Sequence, residues 1–434
     1  MPAMSAAGTR IRSIVVGSAG NLIEWFDWYA YAVFAVYFAP VFFPAHDRTA
    51  ELLSAAAVFA VGFVARPIGA WIMGVYADRH GRKAGLTLSV ALMCLGSLAI
   101  AFVPGHARIG VAAPAVLVAA RLVQGLSLGG EYGASATYLS EMAPGARRGM
   151  WSSLQYVTLI AGQLLATCTA LVLQRALDKA QLAAWGWRIP FVMGAALSVL
   201  VFVMRRGLVE TNAFQGVQIR GETRRSSALA LCRIYPRQAF TVVGLTAGGT
   251  LAFYTYTTYM QKYLTNTAGF SVEHATMISA GSLFVFMLLQ PVVGALSDRV
   301  GRRPVMIAFG VLGTLLTWPI SLAVAATRNP WLAFALVLGA LVIVSGYTAI
   351  NAVVKAELFP PHIRTLGVAL PYALTNTLFG GTAEYVALSL KQAGIERAFF
   401  GYVTVMIALS LVVYVRMRDT RDTGTMKDET VRRA

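Results

Sequence analysis

Glu24, Asp27, Arg66, Arg121, Glu131 and Lys355 all stand inside long runs of apolar residues. A charge at the centre of a bilayer costs from roughly 3 to more than 10 kcal/mol, so each is expected to face a partner or a water-filled path. Glu24 and Asp27 are three residues apart, which puts them on one face of a helix. Arg66 is expected near the same depth on the next span. In a low dielectric a carboxylate holds its proton more firmly, and a nearby arginine pulls that proton off again. An anion that takes the arginine frees the carboxylate to bind a proton, so anion and proton can move together without any bond being made. A permanent structural ion pair is the other reading of the same three residues.

Arg121 falls in the outer half of a later span and Glu131 in its inner half. Arginine holds carboxylates through two parallel hydrogen bonds, which makes Arg121 a candidate anion ligand. Glu131 reads either as a second proton site or as the structural partner of Arg121. Gly125, Gly129 and Gly133 repeat every fourth residue beside them, a small-residue stripe for close helix contact. Lys355 reads as a substrate contact or as a side chain snorkelling to the interface. Gln155 and Tyr156 are candidate substrate contacts, and Gln163, Tyr254, Tyr256, Gln290, Asn351 and Asn376 are further polar groups for the path. Arg188, between Trp187 and Pro190, reads as an interfacial anchor. Glu384 reads as a partner of Lys262 or Lys391.

The elements that must position these groups are membrane spans. Hydrophobic residues make up 57% of the 434 and charged residues 13%, against about 45–50% and 25% in soluble domains. A span needs roughly 20 mainly apolar residues. Twelve stretches qualify: 12–38, 52–76, 84–103, 112–140, 150–174, 186–205, 238–262, 274–297, 304–325, 331–356, 366–390 and 396–416. The expected fold is an all-α membrane protein, twelve transmembrane helices in two pseudo-symmetric six-helix bundles. Residues 1–11 form an N-terminal tail, 12–205 the first bundle, 206–237 a linker, 238–416 the second bundle and 417–434 a C-terminal tail. With the N-terminus inside, 24 of the 36 Lys and Arg fall on the inner side, 8 on the outer side and 4 within the spans or at an end. That bias makes both termini cytoplasmic. It also accounts for the net charge of +17 without nucleic acid, for which no binding module is visible. The first apolar stretch reads as a retained helix and not a cleaved signal. Cys94, Cys168 and Cys232 give neither a disulfide framework nor a metal spacing.

An internal repeat fixes the halves. Gly74-Val-Tyr-Ala-Asp78-Arg79-His-Gly81-Arg82-Lys83 follows the second span, and Gly294-Ala-Leu-Ser-Asp298-Arg299-Val-Gly301-Arg302-Arg303 follows the eighth. Glu141-Met-Ala-Pro144 with Arg148 is answered by Glu357-Leu-Phe-Pro360 with Arg364. Parallel halves related by an axis along the membrane normal give this pattern. Glycine permits a tight turn. The aspartate is expected to accept from backbone N–H groups at the start of the next helix and to pair with arginine. Asp78, Arg79, Arg82, Asp298, Arg299 and Arg302 therefore read as gating loops that latch in one state and release in another. A solvated basic loop on anionic lipid is the other reading.

These loops resemble those of the major facilitator superfamily. Asn21-Leu-Ile-Glu24-Trp-Phe-Asp27-Trp-Tyr29, Arg66-Pro67-Ile-Gly69, Arg121-Leu-Val-Gln124-Gly125 and Gly129-Gly130-Glu131-Tyr132-Gly133 look like its metabolite/proton symporter family. Within that family the runs at 154–160, 253–263 and 383–391 are most similar to the bacterial alpha-ketoglutarate permeases. The resemblance spans about residues 10–415. It implies proton-coupled uptake of a small carboxylate, 2-oxoglutarate first, by alternating access in a bacterial inner membrane. Arg66 and Arg121 would hold the carboxylates and Glu24 or Asp27 the proton. Shikimate, citrate or a zwitterion such as proline or betaine are the alternative substrates, and a transporter-like sensor the alternative class. No nucleophile elbow or phosphate loop is present, so no enzyme, cofactor or metal is expected. The expected partners are a small organic anion, protons and lipid, with the chain a monomer.

Overall fold

The computed structural model describes residues 6–44, 48–222 and 226–426. Most of both expected tails' ends, and Arg224 and Arg225 of the expected linker, lie outside the described residues, as do the side chains of Arg10, Arg12 and Arg48. Twelve long helical segments follow one another. They are α1 (Ala6–Phe42), α2 (Arg48–His80), α3 (Arg82–Phe102), α4 (Ala112–Met142), α5 (Gly145–Ala176) and α6 (Gly186–Arg206). In the second half α7 runs Pro236–Tyr254 and continues through a π turn, Thr255–Tyr259, into Met260–Asn266. Then come α8 (Val272–Val300), α9 (Arg302–Ala326) and α10 (Pro330–Glu357). Helix α11 runs Arg364–Thr375, a π turn Asn376–Gly380 and Ala383–Gln392, and α12 is Arg397–Arg416.

Among the described residues nine of these are long and apolar enough by composition to cross a bilayer. The other three expected spans are helical as well. Helix α1 carries Asn21, Glu24 and Asp27 in its middle, and α7 and α11 are interrupted by their π turns. Such turns leave part of the helical ladder unmade and concentrate at functional places.

The helices pack in the same pairs in both halves. Helices α2 and α3 lie on α4, α1 on α5 and α6, and α3 on α6. Correspondingly, α8 and α9 lie on α10, α7 on α11 and α12, and α9 on α12. The halves meet through α2 with α11 and α5 with α8. Between helices in lipid, close packing replaces the hydrophobic drive, and the glycine stripe of α4 shows how. A Cβ on Gly125 would strike the Gly62 carbonyl, one on Gly129 the Arg66 carbonyl, and one on Gly133 the Ala369 side chain of α11. Since backbone cannot yield as a side-chain tip can, Gly129→Val is expected to destabilise the fold by about 3 kcal/mol or more. Thermal unfolding in detergent measures this, and a variant that melts like the parent contradicts it.

Candidate functional site

At one end of the bundle, beside the segments that follow α6 and α12, each half holds the other. The Asp78 carboxylate accepts from the Thr365 amide at 3.1 Å and the Leu366 amide at 3.0 Å, the first turn of α11. The Asp298 carboxylate accepts from Gly149 at 2.8 Å and Met150 at 3.0 Å, the first turns of α5. Carboxylates stabilise helix N-termini by satisfying orphan amides and by charge against the helix dipole. The sequence spacing predicts a cap on the following helix; the structure places each aspartate on a helix of the opposite half. Both do pair with the expected arginine, Asp78 with Arg82 at 3.2 Å and Asp298 with Arg302 at 2.8 Å.

The helix that follows each latch loop is capped from elsewhere. Glu210 accepts from the Arg82 and Lys83 amides at 3.2 and 3.1 Å, and Asp419 from those of Arg302 and Arg303 at 3.2 and 3.1 Å. Thr211 and Thr420, the next residues, reach Glu141 at 2.5 Å and Glu357 at 2.6 Å. Burial pushes the Glu210 carboxyl above its usual range, against the opposing pull of the Thr211 and Lys83 amides. Gly81 and Gly301 turn the chain at φ 110° and 101°, where other residues are strained, and a Cβ on either would meet the Glu210 or Asp419 carboxylate. Glu141 joins Arg82 at 3.2 Å and Arg364 at 2.7 Å, again across the halves. Arg79 and Arg299 stand apart from the latch. Both are exposed; Arg79 donates to the Ser226 carbonyl, and Arg299 offers its own carbonyl to Arg421.

Deeper in the molecule, the expected cluster of Glu24, Asp27 and Arg66 is not formed. Its carboxylates and its guanidinium lie on different faces of α1, because one residue along a helix is a 100° turn. Arg66 packs over the rings of Trp28 at 3.9 Å, Phe63 at 4.0 Å and Trp25 at 5.4 Å, with its Nε and one Nη buried and unpartnered. Glu24 turns to α4, where the Ser127 hydroxyl donates to it at 2.8 Å. Asp27 turns to α3 and α6, accepting from Ser97 at 2.5 Å and lying against Gly194. One oxygen of each carboxylate is buried without a hydrogen bond.

Arg121 lies over the same Trp28 ring, at 4.1 Å, and over Tyr31 at 4.3 Å, and donates to Gln124 at 2.8 Å. Glu131 is not its partner. Ten residues are about 15 Å of helix rise, too far along α4. Glu131 instead pairs with Arg205 of α6 at 2.6 Å, and Arg205 also reaches the Gly17 carbonyl at 3.2 Å and that of Leu86. Arg205 is fully buried. At the end of a span and beside Arg206 it reads in the sequence as a loop cation; in the structure it packs against Gly20 and reaches inward to Glu131.

Lys355 does not snorkel. It is fully buried, donating to Asn351 at 2.8 Å and to the Tyr132 hydroxyl of the other half at 3.1 Å, with the Tyr372 ring 4.0 Å away. Tyr132 and Tyr372 stack at 3.6 Å across the two halves. Tyr156 packs edge-on against Phe253, also across the halves. Gln155 is committed elsewhere: its amide oxygen takes Ser135 at 2.7 Å and its nitrogen gives to Asn21 at 3.2 Å. Toward the other end, the Phe63 ring meets Tyr254 at 6.5 Å, and Thr377 of the α11 π turn donates to the Phe63 carbonyl at 3.1 Å. Tyr254 and Asn376, at or beside the two π turns, each keep a buried polar atom unpartnered among the described residues, and Tyr256 turns to Thr317 of α9. Glu384 pairs with Lys262, and Arg188 lies on Trp187 and reaches the Val103 carbonyl at 3.1 Å.

The arrangement is thus a core holding Arg66, Arg121 and Lys355, none within ion-pair distance of a carboxylate among the described residues, while Glu24 and Asp27 are held only by hydroxyl groups. Comparison with known proteins places the chain among transporters. Residues 13–230 match the family described as "Sugar (and other) transporter", and residues 246–431 the one described as "Major Facilitator Superfamily". The chain is 53% identical over 405 residues to the alpha-ketoglutarate permease of Escherichia coli, covering 93% of each. It is 34% identical to a citrate-proton symporter of Salmonella typhi, covering 94% of this chain and 93% of that one. Among solved structures, a proton:xylose symporter bound to 6-bromo-6-deoxy-D-glucose shares the fold at TM-score 0.82 and 16% identity, covering 98% of this chain and 99% of that one.

Proposed function

We propose, from the premise that this chain belongs to the major facilitator superfamily, that it imports a small carboxylate together with protons, 2-oxoglutarate first among its substrates. It is a membrane transporter, not an enzyme. The observation that supports the substrate class is the three buried cations without a carboxylate partner among the described residues, Arg66, Arg121 and Lys355. Each is too costly to leave unanswered, and an anion supplies the missing charge. Arg66 and Arg121 lie on the first half and Lys355 on the second, so an anion between them touches both bodies that must move. We read 12–205 and 238–416 as those rocking bundles and 206–237 as their linker. The latch end is the cytoplasmic side of an inner membrane, with both termini there, in keeping with the basic bias of the loops. In the latched state shown, α5 and α11 are held from across, which closes that side. Glu24 or Asp27 carries the proton. Gln155 and Glu131, already engaged with Asn21 and Arg205, serve to fix the first bundle.

Proteoliposomes test this. An inward proton gradient is expected to drive accumulation of labelled 2-oxoglutarate, and a protonophore to abolish it. Unlabelled citrate and shikimate are expected to compete less well than 2-oxoglutarate, and proline or betaine hardly at all. Binding without accumulation, or uptake blocked best by betaine, contradicts the reading.

A further inference from the structure

Asp27 and Arg121 are not in contact, yet a continuous chain of hydrogen bonds joins them. Arg121 Nη1 donates to Gln124 Oε1 at 2.8 Å, Gln124 Nε2 donates to Ser97 Oγ at 3.1 Å, and Ser97 Oγ donates to Asp27 Oδ2 at 2.5 Å. All four side chains are fully buried. Chemistry fixes the polarity of every link. A guanidinium only donates, so the amide must present its oxygen to Arg121 and is left with its nitrogen for Ser97. The serine oxygen then accepts, and its single hydrogen goes to the carboxylate. The chain runs from cation to anion with each dipole aligned, an arrangement in which neighbouring bonds strengthen one another.

We infer that Ser97 and Gln124 are the residues through which a carboxylate bound at Arg121 controls the proton on Asp27. The inference rests on the anion reading above and deepens it. The aligned chain stabilises ionised Asp27 only while Arg121 Nη1 faces Gln124. A substrate carboxylate that draws that guanidinium toward itself removes the cationic end, and the charged form of Asp27 loses its support. The proton is taken by Oδ1, the oxygen left without a hydrogen bond, so the Ser97 link need not break. By linkage, a proton on Asp27 then tightens substrate binding by the same factor. Among the described residues α6 lays Gly194 against this carboxylate, with the buried Ser198 hydroxyl one turn further along; α3 brings Ser97 and the Cys94 thiol, α4 brings Arg121, and on α1 the nearest acid is Glu24, already bonded to Ser127. Gln124 acts through Arg121 and Ser97 through Asp27, so both are positioning residues.

The test compares Ser97→Ala, Gln124→Leu and the hydroxyl-preserving Ser97→Thr with the parent in proteoliposomes, using labelled 2-oxoglutarate. A gradient of one pH unit supports up to about tenfold accumulation per proton coupled. The parent is expected to approach that ratio, with an apparent KM that rises as pH rises. Ser97→Ala and Gln124→Leu are expected to exchange labelled for unlabelled substrate within about threefold of the parent rate, to accumulate hardly at all, and to show a KM nearly independent of pH. Ser97→Thr is expected to restore accumulation. Parent-like accumulation and pH dependence in both deletion variants overturns the inference, as does equal loss of exchange and accumulation in all three variants. A parent that never accumulates substrate overturns the underlying reading instead, so the two failures are told apart.

Discussion

Arg66→Ala is expected to lower proton-driven carboxylate uptake by at least about 100-fold, or about 3 kcal/mol, while the protein still folds. The guanidinium lies over three aromatic rings with donors to spare and no acid to satisfy them. Removing it leaves a substrate carboxylate buried among rings and hydroxyls. The fold gives up only ring contacts, each worth about 0.5 to 2 kcal/mol. Arg66→Lys keeps a cation above Trp28 but not the planar fork, and is expected to fall between the two. Initial rates of uptake at saturating and limiting substrate separate a loss of affinity from a loss of turnover. Uptake within threefold of the parent in Arg66→Ala contradicts the assignment.

The second large effect concerns the latches. Asp78→Asn with Asp298→Asn removes two charged caps, each holding two amides of the opposite half and an arginine of its own. Charge-assisted bonds of this kind contribute about 1.5 to 3 kcal/mol each. Losing both latches is expected to shift the population of the closed state by roughly 3 kcal/mol, or more than 100-fold. Cross-linking or thiol labelling of a cysteine placed at Tyr132, behind the latch, reports the change. It is expected to react slowly in the parent background and quickly in the double variant, with proton-driven uptake reduced. Unchanged reactivity contradicts a gating role. The segments beyond α6 and α12 belong to the same device. Glu210 and Asp419 each accept from the first amides of the helix that begins just after a latch aspartate.

Much of this was legible in the residues. The two loop motifs with their aspartates, the repeat behind the two halves, and the candidacy of the charges on α2, α4 and α10 follow from spacing and from the cost of charge in lipid, whereas the separation of Arg66 and Arg121 from any carboxylate does not. What was not legible depends on which way a helix faces. Glu24 and Arg66 share a depth but not a face, because Trp25 and Trp28 occupy the surface of α1 that meets α2. Glu131 finds its partner on α6, since a span's terminal arginine looks like a loop arginine until its neighbours close over it. Asp78 and Asp298 cap helices more than 140 residues away in sequence, a pairing that local spacing cannot announce. Arg79 and Arg299, in the same motif, lie on the solvent side of the turn. The repeat of Glu210-Thr211 in Asp419-Thr420 stands in the sequence and is a signal that reading the loops alone overlooks.

The central claim is that an anion and a proton enter this core as mutually dependent ligands. Titrating 2-oxoglutarate into the purified protein calorimetrically, in two buffers of different ionisation enthalpy, counts the protons exchanged on binding. The account predicts net uptake of about one proton at neutral pH, abolished in Asp27→Asn. Binding that takes up no proton in the parent, or an identical count in the variant, would contradict it.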